Sequence, residues 1–141
     1  MKKILIVDDE PEILGLLEES FASEGYEVFG ARSGEEALDI LARQKIPVMF
    51  LDLKLPGMSG IELCRRIRKD RQTPAIHALT GYTSNYGLVE CRAAGFDDFF
   101  TKPVGLHVLL KAARDAFERT GRWNFTENEK AHSHIEDLPG I

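Results

Sequence analysis

The chain has 141 residues, enough for one domain with a real hydrophobic core. Its 43% hydrophobic and 29% charged residues exclude a disordered or fibrous chain, and a net charge of −5 gives no overall attraction to nucleic acid or anionic membrane. No apolar run nears the roughly 20 residues that span a bilayer, and the four apolar residues after Lys2-Lys3 are too few for a secretory signal, so a cytoplasmic protein is expected.

Ile4-Leu5-Ile6-Val7 is a continuous apolar run ended abruptly by Asp8-Asp9-Glu10. It predicts a strand buried on both faces with acids at its carboxyl end. Pro11 suits a first helical turn, Ile13, Leu16, Leu17 and Phe21 recur at helical spacing, and Gly25 closes the helix. Tyr26-Glu27-Val28-Phe29 alternates like an edge strand. Ser33-Gly34-Glu35-Glu36 reads as a capping box ahead of Ala37, Ile40 and Leu41. Val48 to Leu51 form a second buried strand, which runs into Asp52 and the turn at Pro56-Gly57.

Ser59-Gly60-Ile61-Glu62 is a second capping box, backed by Ile61, Cys64 and Ile67. The basic tail of that helix (Arg65, Arg66, Arg68, Lys69, Arg71) reads as a solvated face. Ala75 to Leu79 form a fourth strand followed by Thr80-Gly81, with His77 expected as a satisfied core or edge histidine. Ser84 to Ala94 is a poor helix, since Gly87 inside it costs roughly 0.5–1 kcal/mol relative to Ala. Phe99-Phe100 make a short fifth strand, Lys102-Pro103 follow, and Leu106, Leu109, Leu110, Ala113 and Phe117 mark an amphipathic last helix. Cys64 and Cys91 lack metal-ligand spacing and are expected as reduced core residues. Five strands alternating with five helices predict a doubly wound α/β domain with a five-stranded parallel sheet.

From Gly121 the pattern changes. Glu127, Glu129, Glu136 and Asp137 against Arg122 and Lys130 give −2 of the total −5. A disordered or loosely docked tail over 120–141 is expected, with Trp123 and Phe125 able to pin its start to the last helix. The sequon Asn124-Phe125-Thr126 and the pair His132 and His134 are weak signals.

The strand ends carry the chemistry: Asp8 and Asp9, Asp52, Thr80 and Lys102. In a parallel sheet these ends share one edge, where ligands collect. Clustered carboxylates repel unless a cation is shared, and Mg²⁺ (or Mn²⁺) with its water ligands suits such a site. A hard divalent ion, the Lys102 ammonium and the Thr80 hydroxyl together make a cradle for a phosphoryl group. Asp52, alone at the end of the central strand, is then the natural nucleophile.

These residues resemble the receiver domains of two-component response regulators. The likeness is carried by Ile4–Glu10, Leu51-Asp52, Pro56–Gly60, Leu79-Thr80-Gly81, Ala93–Phe99 and Thr101-Lys102-Pro103, and it covers about 1–119. It implies a flavodoxin-like receiver fold with strand order 2-1-3-4-5. It further implies that Asp52 accepts a phosphoryl group from a phosphohistidine of a sensor histidine kinase or histidine phosphotransfer protein. Asp9, Asp52 and the backbone carbonyl of Lys54 would ligate the metal, Asp8 would act through water, and Thr80 and Lys102 would bind the phosphoryl oxygens. Phe99 matches the switch aromatic, and it lacks the hydroxyl of the tyrosine often found there. The face of the fourth helix, fifth strand and fifth helix would then change affinity for a downstream protein target, as a monomer or a phosphorylation-dependent dimer.

Lys54 and Tyr82, two residues beyond Asp52 and Thr80, are expected to tune the lifetime of the acyl phosphate. The resemblance implies a signalling phosphoacceptor rather than an enzyme acting on an external substrate. A Mg²⁺-dependent phosphohydrolase would want a second acid where Lys54 stands, and a P-loop switch would need a G-x-x-x-x-G-K-[ST] run. The 22 residues from 120 to 141 cannot build an output domain, which is consistent with either a stand-alone receiver or a fragment of a longer chain.

Overall fold

A computed structural model describes residues 1–81 and 87–120. Strands and helices alternate as β1 (Lys3–Val7), α1 (Pro11–Ser23), β2 (Glu27–Ala31), α2 (Gly34–Arg43), β3 (Val48–Asp52), α3 (Gly60–Asp70), β4 (Ala75–Thr80), α4 (Leu88–Ala94), β5 (Asp98–Thr101) and α5 (Leu106–Thr120). The sheet is parallel throughout, in the order β2-β1-β3-β4-β5. β1, β3 and β4 are interior strands, which is why their sequences are apolar without alternation. β2 lies at one edge, as its mixed sequence predicts.

The period of two divides each interior strand between two cores. Leu5, Val7, Met49, Leu51, Ile76 and Ala78 pack with α2, α3 and α4. Ile4, Ile6, Val48, Phe50, Ala75 and Leu79 pack with α1 and α5. Burying each large aliphatic or aromatic side chain contributes about 1.5–3 kcal/mol, so the two layers hold the sheet rigid up to its carboxyl edge. His77 belongs to the second face and is fully buried, stacked on Phe50 at a centroid distance of 4.5 Å. Its Nδ1 meets the Met49 carbonyl at 3.0 Å, but Nε2 has no partner among the described residues, so the expected satisfied histidine is only half satisfied. Burial outweighs that bond and lowers its pKa, which keeps the imidazole neutral.

Three local expectations change. Ser33 Oγ accepts from Glu36 N–H at 3.1 Å, yet the Glu36 carboxylate takes the N–H of Arg32 instead of closing a reciprocal box. Ser59 Oγ likewise accepts from Glu62 N–H at 3.2 Å, while the Glu62 side chain turns to Arg66 one helical turn on. Gly87 is not inside α4. It stands just before the helix in extended backbone, its N–H donating to Glu90 Oε1 at 2.8 Å, so the expected interior penalty does not arise. The expected helix start at Ser84 lies outside the described residues.

The basic tail of α3 is more than a solvated face. Arg68 donates to the carbonyls of Gly95, Gln72 and Pro74 and pairs with Asp97 at 2.9 Å. One planar guanidinium thus ties the end of α3 to the turn into β5. Cys64 and Cys91 are free and buried in the α3–α4 layer, as expected. The tail from Gly121, with Trp123, Phe125 and the histidine pair, lies outside the described residues.

Candidate functional site

Parallel register brings the four strand ends together. Val7 stands opposite both Ala31 and Leu51, so Asp8 leaves the sheet beside Asp52. Thr80 is paired with Thr101, and Lys102, the next residue, donates its N–H to the Thr80 carbonyl at 2.7 Å. Asp8, Asp9, Asp52 and Lys102 therefore meet at this edge, and Thr80 ends the strand between those that lead to Asp52 and Lys102.

Asp8 is fully buried, with Oδ1 accepting the Glu10 N–H at 2.9 Å and Oδ2 facing Lys102 Nζ at 3.0 Å. It serves the entry to α1 and the site at once. Lys102 Nζ also stands 3.6 Å from Asp52 Oδ2, and Asp52 Oδ1 accepts the Lys54 N–H at 3.2 Å. Thr80 is buried and its hydroxyl donates to the Gly81 carbonyl at 3.2 Å. Asp8, Asp9 and Asp52 each offer an oxygen within 4.8 Å of the others. Three carboxylates against one ammonium leave an excess of two negative charges, and oxygen-only donors suit a hard divalent cation.

The electrostatics agree with that imbalance. Burial pushes the Asp52 carboxyl up from 3.8 to about 6; Lys102 and the Lys54 N–H oppose the rise, while Asp8 and Asp9 add to it. For Lys102 burial works against the charge, but Asp52 and Asp8 outweigh it and raise its pKa. Lys102 remains the ammonium at neutral pH.

Gly60, the first residue of α3, also shapes the site, though its sequence context marks only the start of a helix. Its N–H donates to the Leu53 carbonyl at 2.9 Å, and a Cβ there would collide with the Asp52 carbonyl and lie 2.8 Å from Leu53 Cα. Both obstacles are backbone, so neither yields by a rotamer change. Gly60→Ala should displace the loop that carries Asp52, cost about 1–3 kcal/mol in denaturant unfolding, and slow any chemistry at Asp52. Wild-type stability and reactivity in that variant would show the loop to be compliant. The signal in the sequence was a glycine where α3 begins, and only the contact explains it.

Of the other predicted residues, the Lys54 side chain is exposed and Phe99 is half-buried against the α2–α4 face. Tyr82 lies outside the described residues.

An acidic pocket with a single lysine, at the carboxyl edge of a parallel sheet in the order 2-1-3-4-5, defines a doubly wound α/β domain built around a charge-dense strand-end site. The sequence profile of the response regulator receiver domain matches residues 4–114, and the chain belongs to that family. Its fold is similar to a CheY-like response regulator receiver domain protein from Methanospirillum hungatei, with 32% identity over 87% of this chain and 98% of that one and a TM-score of 0.82. It is also similar to the response regulator TrrA from Thermotoga maritima in complex with Mg²⁺-BeF, at 35% identity, 82% and 99% coverage and a TM-score of 0.74. The chemotaxis response regulator CheY4 of Vibrio cholerae gives 30% identity, 82% and 98% coverage and a TM-score of 0.76. Among the described residues no helix is long and apolar enough to cross a membrane.

Proposed function

We propose that this receiver domain is the phosphoacceptor of a two-component phosphorelay, with Asp52 as the acceptor. The observation that carries the proposal is the meeting of Asp52 with Asp8, Asp9 and Lys102 in one pocket. In the transfer, an Asp52 carboxylate oxygen forms a bond to phosphorus while the P–N bond of the donor phosphohistidine breaks. The imidazole leaves with the electron pair and takes up a proton from water. The donor is a sensor histidine kinase or a histidine phosphotransfer protein.

Asp9, Asp52 and the Lys54 carbonyl would hold Mg²⁺ (or Mn²⁺), with Asp8 acting through water. When bound, the cation supplies charge compensation for the phosphoryl oxygens. Lys102 neutralises a second portion of that charge from the β5 side. Thr80 exchanges its bond to Gly81 for one to a phosphoryl oxygen, and Phe99 follows inward on the neighbouring strand. The readout is the face of α4, β5 and α5, where Leu88 and Val89 are exposed apolar residues suited to a protein target. Residues 1–119 would form the signalling unit and 120–141 an appended tail.

The test is Mg²⁺-dependent labelling by acetyl phosphate or a phosphohistidine donor, abolished in Asp52→Asn. Undiminished labelling of that variant would place the acceptor elsewhere, and steady turnover of phosphate monoesters would make the protein a hydrolase. Lys54 and Tyr82, two residues beyond Asp52 and Thr80, tune the loss of phosphate in this reading. Exchanging both for small residues should alter the rate of phosphate loss from the labelled protein, and an unchanged half-life would remove them from that role.

A further inference from the structure

A groove of about 1000 Å³ lies at the other edge of the sheet. It is framed by the start of β1 and the segments that link α2 to β3 and α3 to β4, over a floor that includes Leu41, Ile46 and Pro47. Its charge is one-sided: Lys3, Arg43, Lys45 and Arg71 against Asp70. Arg71 is the anchor. Its Nη2 donates to the Leu41 carbonyl at 2.8 Å at the end of α2, and its Nη1 is buried with no partner among the described residues. That nitrogen is enclosed by protein, so a ligand in the groove meets Lys3, Arg43 and Lys45 instead.

A second depression of about 500 Å³ shares Pro47, Gln72, Thr73 and Pro74 with this groove and reaches Arg119, one residue before the end of α5. Asp97 offsets Arg119 in that depression, so the basic character belongs to the larger groove beside it. Residues 121–141 carry Glu127, Glu129, Glu136 and Asp137 against Arg122 and Lys130, a net −2, and place Trp123 and Phe125 first. At roughly 3.3 Å per residue, Glu127 and Glu129 can lie some 20–30 Å beyond the end of α5.

We propose that residues 121–141 dock in this basic groove in cis, an intramolecular contact at the edge of the sheet opposite Asp52. Complementary charge supplies the attraction, from Lys3, Arg43 and Lys45 at the groove, with Arg71 tying its wall together through the Leu41 carbonyl. Tethering favours this occupant over a free acidic peptide, because a short linker supplies an effective concentration of about 1 mM without loss of translational freedom.

Trp123 is the only tryptophan in the chain, so its fluorescence reports the contact directly. In dilute buffer, acrylamide should quench Trp123 of the full chain with about half the constant found for a peptide of residues 121–141, the level set by an affinity near the effective concentration. Protection should vanish in Glu127→Lys/Glu129→Lys, which leaves the folded domain untouched, and in Arg43→Gln/Lys45→Gln. It should also vanish as salt rises to about 1 M, where the screening length falls to about 3 Å. Quenching equal to that of the peptide would overturn the proposal. So would protection indifferent to these charges, which would place the aromatic residues on α5 instead, or protection that grows with protein concentration, which would report a second copy.

Discussion

Asp52→Asn should abolish labelling by acetyl phosphate and, in metal-free buffer at pH 8, unfold at a higher temperature than wild type. The second effect follows from the pocket's charge. The Asp52 pKa is raised to about 6 in the folded protein, from an ordinary value of 3.8. Between those values the folded state holds a proton that the unfolded chain has lost, so stability falls as pH rises through the window and stays low above it. The difference of about two pH units has an upper bound near 3 kcal/mol, and the open side of the pocket reduces the expected gain to about 1–2 kcal/mol. Asparagine keeps the shape and removes the charge, so its advantage should be present at pH 8 and disappear near pH 4. Thermal unfolding of both proteins across that range checks the sign. A variant less stable than wild type at pH 8 would mean that the Asp52 contact with Lys102 outweighs the desolvation.

The second large effect is expected for Lys102→Met. Lys102 is the ammonium within 3.0 Å of Asp8 and 3.6 Å of Asp52, and Asp8 is fully buried. Removing the cation leaves three clustered carboxylates without it, and breaking such a pair costs about 3–5 kcal/mol when both partners are dry. Lys102 keeps some solvent contact, so about 2–4 kcal/mol is expected in chelator-treated protein. Part of the loss should return when Mg²⁺ is added, because the ion then answers the same excess charge, and saturation at a hundred times its dissociation constant contributes about 2.7 kcal/mol. Denaturant unfolding with chelator and with Mg²⁺ separates the two terms. If Mg²⁺ stabilises the variant no more than wild type, the lysine and the ion do not share a charge site.

These two variants also show why the candidate site was so legible in the sequence. Asp8, Asp9, Asp52 and Thr80 each end or follow a strand whose apolar run names it as interior, and Lys102 follows the short edge strand β5. A parallel sheet has one carboxyl edge, so marking the strand ends already marks a common cleft. What could not be read was the detail within the cleft: that Lys102 lies closer to Asp8 than to Asp52, or that Asp8 also binds the Glu10 N–H.

By itself the sequence determined the order of elements, the edge position of β2, the fold class and the residues of the acidic pocket. All of these rest on local periodicity and on chemistry at the ends of short segments. The tertiary structure decided the partners of long side chains and the tolerances between backbones. Arg68 sits on a helical face that looks solvated, yet it reaches carbonyls at Gly95 and Pro74 because packing brings those turns under it. Gly60 looks like an ordinary start to α3 until the Asp52 carbonyl is found against it. Arg71 reads as one more cation until α2 is placed beside it and one guanidinium nitrogen is buried. The reason is common to all three. Periodicity reports which face of an element is apolar, whereas contacts between residues far apart in the chain are set by how the finished layers fit.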